Sequence, residues 1–302
     1  MFYRFFAMSQ QDSNSFIMKF NNYTNNHELA AVELELRERI KKEEFEHIQE
    51  NKHSDSLWGH SERVALTAER LGLGEGLDLT ACRLAGLFHD AGKFGGGGYH
   101  KGDKPEEERS VSVFRKITRG KGFATNLIDQ VEESILQLYR QDPDQTLLTK
   151  VLFDADNLDK LGLLGIANYF VKAGLRGGGL SASVLYKVTV ELTYARHAPT
   201  CLTTKTGREI ARKRAPKTIA FFQQLLDSLR EDGLFDFRVK EVNFNNLLLD
   251  VVTPASCNCG EQFSLKIKEV PGIKCSEIHL AHICQSCQSS HELRFCRPRI
   301  IV

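Results

Sequence analysis

The chain has 302 residues, of which 41% are hydrophobic and 26% are charged, and its formal net charge at pH 7 is +1. This length and composition are typical of a globular protein with one large or two small domains. The near-neutral charge excludes a strong global field that would select nucleic acid or an anionic membrane. The sequence also contains no apolar run long enough to cross a bilayer, so we expect no membrane partner.

The sequence up to residue 231 reads as a series of helices. Residues 1–26 are rich in Asn, Gln and Ser, and we expect them to be disordered. They lack the apolar core and cleavage site of a signal peptide, which favours a cytoplasmic protein. A long charged helix is predicted from His27 to about Asn51. Helical spacing of apolar residues continues, with glycine-rich breaks at 95–98 and 177–179, through the segments 61–71, 77–91, 104–117, 124–139, 149–171, 182–196 and 206–231.

The pattern changes after Gly233. Apolar and polar residues alternate in 235–240, 263–268 and 292–295, which predicts strands. The predicted architecture is therefore mainly α. An all-helical bundle over residues 27–232 is followed by a small β-rich module over residues 233–302.

Four residues far apart in the sequence are candidate metal ligands. They are His60, the pair His89-Asp90, and an aspartate of the string Asp154-Ala155-Asp156, each within a predicted helix. Imidazole nitrogen and carboxylate oxygen are ligands that first-row divalent metals accept. Side chains of this kind can meet inside a helical bundle and hold one ion, which would keep positions open for water and a phosphate oxygen.

The order H…HD…D resembles the signature of the HD-domain superfamily of metal-dependent phosphohydrolases. The segment 153–167, Phe-Asp-Ala-Asp-Asn-Leu-Asp-Lys-Leu-Gly-Leu-Leu-Gly-Ile-Ala, is similar to a segment of small bacterial HD hydrolases. Residues 206–211, followed by the pair Phe221-Phe222, are similar to their closing helix. The resemblance covers about residues 50 to 232.

The resemblance implies an all-helical fold around one divalent ion, which can be Mn²⁺, Mg²⁺, Co²⁺, Ni²⁺, Fe²⁺ or Zn²⁺. Its ligands would be His60, His89, Asp90 and Asp156, because the distal ligand of the family matches the second aspartate of the triplet. Many relatives with two metals add histidines before the last aspartate. Here only His100 lies in that interval, which favours a single ion.

Candidate catalytic groups surround this predicted centre. Lys93 follows the His-Asp pair by one turn, and Arg63 follows His60 by three residues, so either cation can face a phosphate. His100 lies beyond the glycine run and can reach the site on a loop that folds over the substrate. Asp154 is predicted either to support the ligands or to accept a proton, and Asp159 to be a surface or capping charge. Surface positions for Lys93 and a solvated linker at His100 are the alternatives.

Six of the eight cysteines cluster near the C-terminus, and Cys82 and Cys201 are isolated. Cys257, Cys259, Cys284 and Cys287 form two close pairs, which indicates a zinc-ribbon-like module holding a structural Zn²⁺. Secreted disulfides and free thiols are the alternatives, and without a signal peptide a reducing compartment is favoured. Other residues that can replace a ligand are Cys275, Cys296, His279, His282 and His291.

Three functions are compatible with these patterns. The leading hypothesis is an enzyme that hydrolyses a phosphate ester or anhydride, plausibly of a nucleotide. A non-catalytic nucleotide sensor, whose zinc ribbon recruits a protein, is the alternative. An HD nuclease guided by the ribbon to nucleic acid is less favoured, because the module is only mildly basic and offers few aromatic residues for base stacking.

Overall fold

The computed structural model describes residues 26–47, 56–94, 102–140, 144–175, 178–244, 247–268 and 277–296. Residues 1–25 and the loop that carries His100 lie outside these ranges. Within them, no helix is both long and apolar enough to cross a membrane. The helices, labelled α1 to α10 in chain order, are Asn26–His47, Ser56–Glu75, Leu79–Phe88, Glu106–Thr118, Thr125–Gln137, Leu147–Leu158, Gly162–Leu175, Ala182–Tyr186, Val188–Cys201 and Lys205–Glu231.

Polar side chains fix the starts of helices that matter for the site. The Asp78 carboxylate accepts a hydrogen bond from the Ala81 N–H at 3.0 Å at the start of α3. The Thr204 hydroxyl accepts one from the Gly207 N–H at 2.9 Å at the start of α10. Each bond satisfies an N–H that has no partner within its own helix.

One predicted helix is divided in two. The spacing predicts a continuous helix over 149–171, but the structure ends α6 before Gly162 and begins α7 there. Gly162 has a φ of +78°, and its N–H donates to Thr218 Oγ1 of α10 at 2.7 Å. This left-handed backbone conformation favours glycine. The break places Asp159 and Lys160 in a turn between the two helices.

The strands, β1 to β5, are Phe237–Phe244, Leu247–Pro254, Leu265–Lys268, Glu277–Ile283 and Ser290–Cys296. β1 and β2 form an antiparallel hairpin, and β3, β4 and β5 form an antiparallel sheet in that order. Alternation predicts β1, β3 and β5 but misses β4 and β2, and in β2 the neighbouring residues Val251 and Val252 are both buried. The predicted fold class, mainly α with a small β-rich part, is confirmed.

The core is continuous between the last helices and the hairpin. A second apolar cluster joins residues of α7 to α10, among them Leu185 and Phe222, with Phe237 of β1 and Val252 of β2. The Val252 N–H also donates to Thr189 Oγ1 of α9 at 3.0 Å. The hairpin thus packs as part of the helical core, and a domain boundary at residue 233 stays a prediction.

Candidate metal centre

Two helices meet in backbone contact beside the predicted ligands. His60 lies on α2, and His89 directly follows α3. A Cβ atom on Gly86 would lie 2.4 Å from Ala65 Cα and 2.7 Å from Ala65 N, so a side chain at this crossing would push the helices apart. Gly86 precedes His89 by one turn, and Ala65 follows His60 by little more than one turn. The close approach therefore sets the separation of the two imidazole rings.

The four predicted ligands come together and are buried. His60 Nε2 lies 3.3 Å from His89 Nε2, 3.5 Å from Asp90 Oδ2 and 3.4 Å from Asp156 Oδ1. His89 Nε2 lies 3.6 Å from Asp90 Oδ2. Donor atoms that share a first-row ion at about 2.0–2.2 Å are separated from one another by about 3–3.5 Å. The spacing of His60, His89 and Asp90 therefore fits one shared ion, and Asp156 contacts this group through His60.

The hydrogen bonds of the two Nδ1 atoms determine that each imidazole carries its lone pair on Nε2. His89 Nδ1 lies 2.7 Å from the Gly86 carbonyl oxygen, which can only accept, so Nδ1 carries the proton. His60 Nδ1 lies 2.8 Å from Asp159 Oδ2, and the same reasoning puts a proton there. With both Nδ1 atoms engaged, both Nε2 atoms are available to a cation. This is the arrangement that orients histidine ligands in metal sites.

The structure corrects the prediction that Asp159 is a surface charge. Asp159 is buried and accepts hydrogen bonds from His60 Nδ1 and from Arg63, the latter at 2.7 Å and 3.0 Å. Asn168 Nδ2 of α7 lies 3.4 Å from the same carboxylate. Asp159 keeps helical backbone angles and follows Asp156 by three residues, so its side chain lies on the same helix face as that predicted ligand.

The surrounding carboxylates make this a favourable place for positive charge. Burial lowers the pKa of His60, but the interactions with Asp156, Asp159 and Asp90 outweigh burial and raise it to about 9. Burial also lowers the pKa of His89 below its usual range. A proton on His60 Nε2 and a divalent ion would occupy the same position, so the groups that favour the one also favour the other.

The comparison with protein families agrees with this geometry, because the model of the HD domain matches residues 57–161. Residues 57–161 are an HD domain. The stretch contains all four predicted ligands together with Asp159. A search of curated proteins gives no significant match.

Several solved structures are similar to this chain. Bacillus subtilis YpgQ, crystallised in complex with ADP, is 26% identical over 65% of this chain and 96% of its own, with a TM-score of 0.45. A Lactobacillus plantarum protein is 17% identical over 70% of this chain and 100% of its own, with a TM-score of 0.49. A predicted HD superfamily hydrolase from an uncultured Thermotogales bacterium is 22% identical over 64% and 91%, with a TM-score of 0.44.

Two residues that sequence reasoning did not assign hold Asp156 from its other side. Tyr139 Oη donates to Asp156 Oδ2 at 3.1 Å, and Lys160 Nζ lies 3.3 Å from the same oxygen. Asp156 Oδ1 is thereby left facing His60. Lys160 follows Asp156 by four residues, a spacing that could have suggested the pair. Tyr139 is 17 residues from Asp156, and no sequence pattern linked it to the HD centre, by which we mean the group of His60, His89, Asp90 and Asp156.

The candidate cations differ in what they contact. Lys93 Nζ pairs with Asp90 Oδ2, and it lies 3.9 Å from Glu106 Oε1. This cation therefore lies at the HD centre with its charge paired to a predicted ligand. Arg63 pairs with Asp159, so its guanidinium is engaged by the carboxylate that orients His60. The predicted loop position of His100 lies outside the described residues.

Asp154 is directed at the start of α10. Its two oxygens accept hydrogen bonds from the backbone N–H and the hydroxyl group of both Thr203 and Thr204, at 2.6 to 3.0 Å. Asp154 is fully buried, and burial raises its pKa while these four hydrogen bonds lower it, with a net increase. A carboxylate with both oxygens engaged is poorly suited to accept a proton from water. The contacts instead fasten α6 to α10.

The four predicted cysteines form a second cluster whose sulfur atoms lie within 4.8 Å of one another. Cys257 Sγ lies 3.5 Å from Cys287 Sγ, and Cys259 Sγ lies 3.2 Å from Cys284 Sγ. Thiolates around a tetrahedral zinc at about 2.3 Å are about 3.8 Å apart, so the cluster fits such an ion with little movement. Hydrogen bonds from Ser289 lower the pKa of Cys287 to about 6, which favours a thiolate at this position. The Cys287 N–H lowers the pKa of Cys284, but the Cys259 thiol and burial outweigh it and raise that pKa to about 12.

Proposed function

We propose that this protein is a metal-dependent phosphohydrolase with one divalent ion held by His60, His89, Asp90 and Asp156. The observation that carries the proposal is the pair of imidazoles whose Nδ1 atoms are both engaged and whose Nε2 atoms lie 3.3 Å apart beside two carboxylates. A divalent ion held there supplies Lewis-acid activation of water and of the phosphorus centre. The substrate is a phosphate ester or anhydride, and nucleotides are the first compounds to test.

Other side chains around the HD centre orient the proposed ligands and supply positive charge for the phosphate. Asp159 holds the His60 ring in one orientation, and Tyr139 holds Asp156 so that Oδ1 faces His60. Lys93 brings a positive charge to Asp90, at the site where negative charge builds up on phosphate oxygens during hydrolysis. Replacement of Lys93 by Gln should therefore keep the bound metal and lower kcat by about 10²- to 10³-fold.

The test is phosphate release by purified protein loaded with Mn²⁺, Mg²⁺, Co²⁺ or Ni²⁺, with nucleoside mono-, di- and triphosphates and dinucleotides as substrates. We expect turnover that is lost on chelation and in Asp90→Asn. Asp129→Asn removes an exposed carboxylate from α5 and is the matched control that should retain full activity. Elemental analysis of His89→Ala reports metal binding separately. If metal-loaded protein hydrolyses no compound, a nucleotide-sensing role becomes the better explanation.

For the cysteine cluster we propose a structural Zn²⁺ bound by Cys257, Cys259, Cys284 and Cys287. Support comes from the spacing of the four sulfur atoms and from the small apolar cluster beneath them, which consists of Cys257, Phe263 and Cys284. A module with so little core needs an additional source of stability. A protein or nucleic-acid partner for this module stays a prediction.

A further inference from the structure

Lys160 places a positive charge at the edge of the HD centre. It lies in the turn between α6 and α7, with Nζ 3.3 Å from Asp156 Oδ2 and 4.8 Å from the centre of the Tyr194 ring. Its side chain remains 30% exposed, so solvent or a ligand can reach it. If Asp156 binds a metal ion, its charge is shared with that ion, and Lys160 can then attract another anion.

Lys172 adds a second charge on the same side. It lies on α7 one turn after Asn168, whose side chain reaches Asp159, so the two residues share a helix face. Lys172 is half-buried, and in the part of the chain that the structure describes it forms no ion pair. Burial lowers its pKa, and the positive charges of Lys93 and Lys160 lower it further.

The carboxylates that act on these lysines are Asp156, Asp159 and Glu191 of α9. Burial raises the pKa of Glu191 to about 7, against the opposing effect of Lys160 and Lys172. Near neutral pH this group is therefore only partly ionised and a weak counter-ion for two lysines. Asp159 is already paired with Arg63, and Asp156 would share its charge with a bound metal ion, so the two lysines keep positive charge that an anion can compensate.

We propose that Lys160 and Lys172 form a second phosphate subsite beside the HD centre, which selects substrates carrying a chain of two or three phosphates. The inference rests on the proposed function for the position of the reacting phosphate, next to Lys93 and the metal. The neighbouring phosphates of the chain then contact Lys160 and Lys172. Lys172 lies beyond the part of the chain that matches the HD domain model, so it is a feature of this chain rather than of the matched region.

Binding can be measured without turnover. Calorimetric titration of the full-length protein with orthophosphate, pyrophosphate and tripolyphosphate, at a fixed free Mg²⁺ concentration, should give affinities that rise with the number of phosphates. Lys160→Gln and Lys172→Gln should each weaken tripolyphosphate binding about tenfold or more, the effect of one lost charge-assisted hydrogen bond, and change orthophosphate binding little. Glu191→Gln should strengthen tripolyphosphate binding. Lys116→Gln, an exposed lysine on α4, is the control with the same charge change.

The outcomes separate this inference from the proposed function. Equal affinities for orthophosphate and tripolyphosphate, or a Lys172→Gln variant that behaves like Lys116→Gln, would overturn the subsite. Hydrolysis of a monophosphate that is insensitive to both lysines would do the same while leaving the phosphohydrolase intact. Lysine-dependent tripolyphosphate binding without any turnover would support the subsite and contradict the enzyme. Elemental analysis of each variant confirms that the bound metal is unchanged.

Discussion

The HD centre and the cysteine cluster both gather four candidate ligands, but they rest on different amounts of structure. The ligands of the HD centre are all buried, and their partners Asp159, Tyr139 and the Gly86 carbonyl orient them. In the cysteine cluster Cys259 and Cys287 are exposed, and the core below is small. We therefore expect loss of metal to leave the fold around the HD centre largely intact but to unfold the cysteine module.

The largest expected effect is on the cysteine module. Removal of zinc should unfold it, because structural zinc contributes on the order of 10 kcal/mol or more to small modules. Hydrogen exchange of residues 257–268 and 277–296 should become fast after chelation or in Cys284→Ser, while α2 and α3 remain protected. Cys201→Ser removes a half-buried thiol outside the cluster and is the control. Protected amides after chelation, or the four cysteines joined as disulfides, would contradict the zinc assignment.

The second prediction tests whether helix packing in the core determines the separation of the two imidazoles in the HD centre. Gly86→Ala places a methyl group against the backbone of Ala65, so the helices must separate. We expect a loss of about 1–3 kcal/mol in the free energy of unfolding, together with weaker Mn²⁺ binding, because the imidazoles move apart. Gly174→Ala, a helical glycine with open space around it, is the matched control and should be at least as stable as the wild type. Unchanged metal affinity in Gly86→Ala would show that the packing of Gly86 against Ala65 does not determine the geometry of the HD centre.

The third prediction concerns the groups behind the ligands. Asp159→Asn should lower metal affinity about 10- to 100-fold, because His60 loses the carboxylate that orients it and raises its basicity. Calorimetric titration with Mn²⁺ measures this. Arg63→Gln breaks the same ion pair but keeps the bond between Asp159 and His60, so its affinity should fall less. Equal losses in the two variants would assign Asp159 a merely structural role.

The smallest effect is a pH dependence beside the HD centre. The pKa of Glu191 is about 7 against the usual 4.5, so the folded chain holds this proton more tightly than the unfolded chain. The contribution of this group to the free energy of unfolding therefore falls as pH rises from about 4.5 to about 7. Glu191→Gln should match the wild type near pH 4.5 and exceed it by about 2 kcal/mol at pH 8.

Urea unfolding of the two proteins at several pH values measures that difference. Glu209→Gln, which changes an exposed glutamate on α10, should show no such trend. A constant difference between Glu191→Gln and the wild type across this range would mean that Glu191 is ionised in the folded protein at all these pH values.

The sequence allowed the ligands to be predicted but not the groups that hold them. His60, the His89-Asp90 pair and Asp156 stand out because their residue types and order are unusual within apolar helices. Asp159 was misjudged because its partners His60 and Arg63 lie 99 and 96 residues away in the sequence. Contacts of this kind leave no local pattern.

The same distinction applies to the strands. β1 is readable because its alternation reflects one buried and one exposed face. β2 lies between α9 and β1 and is buried on both faces, so its residues form an apolar run that helical and extended segments share. The place of the hairpin on the helices depends on Thr189 and on the ion pair between Arg196 and Asp250, neither of which a sequence pattern reveals.

The contacts of Asp154 show that the segment matched by the HD domain model is shorter than the segment needed for stable folding. The match to the HD domain ends at residue 161, yet Asp154 within it depends on donors from Thr203 and Thr204, and Gly162 depends on Thr218. A fragment that stops at residue 161 would leave a buried carboxylate without partners and strip α9 and α10 from the main core. A fragment designed to fold should therefore extend at least through α10, well past the end of the matched segment.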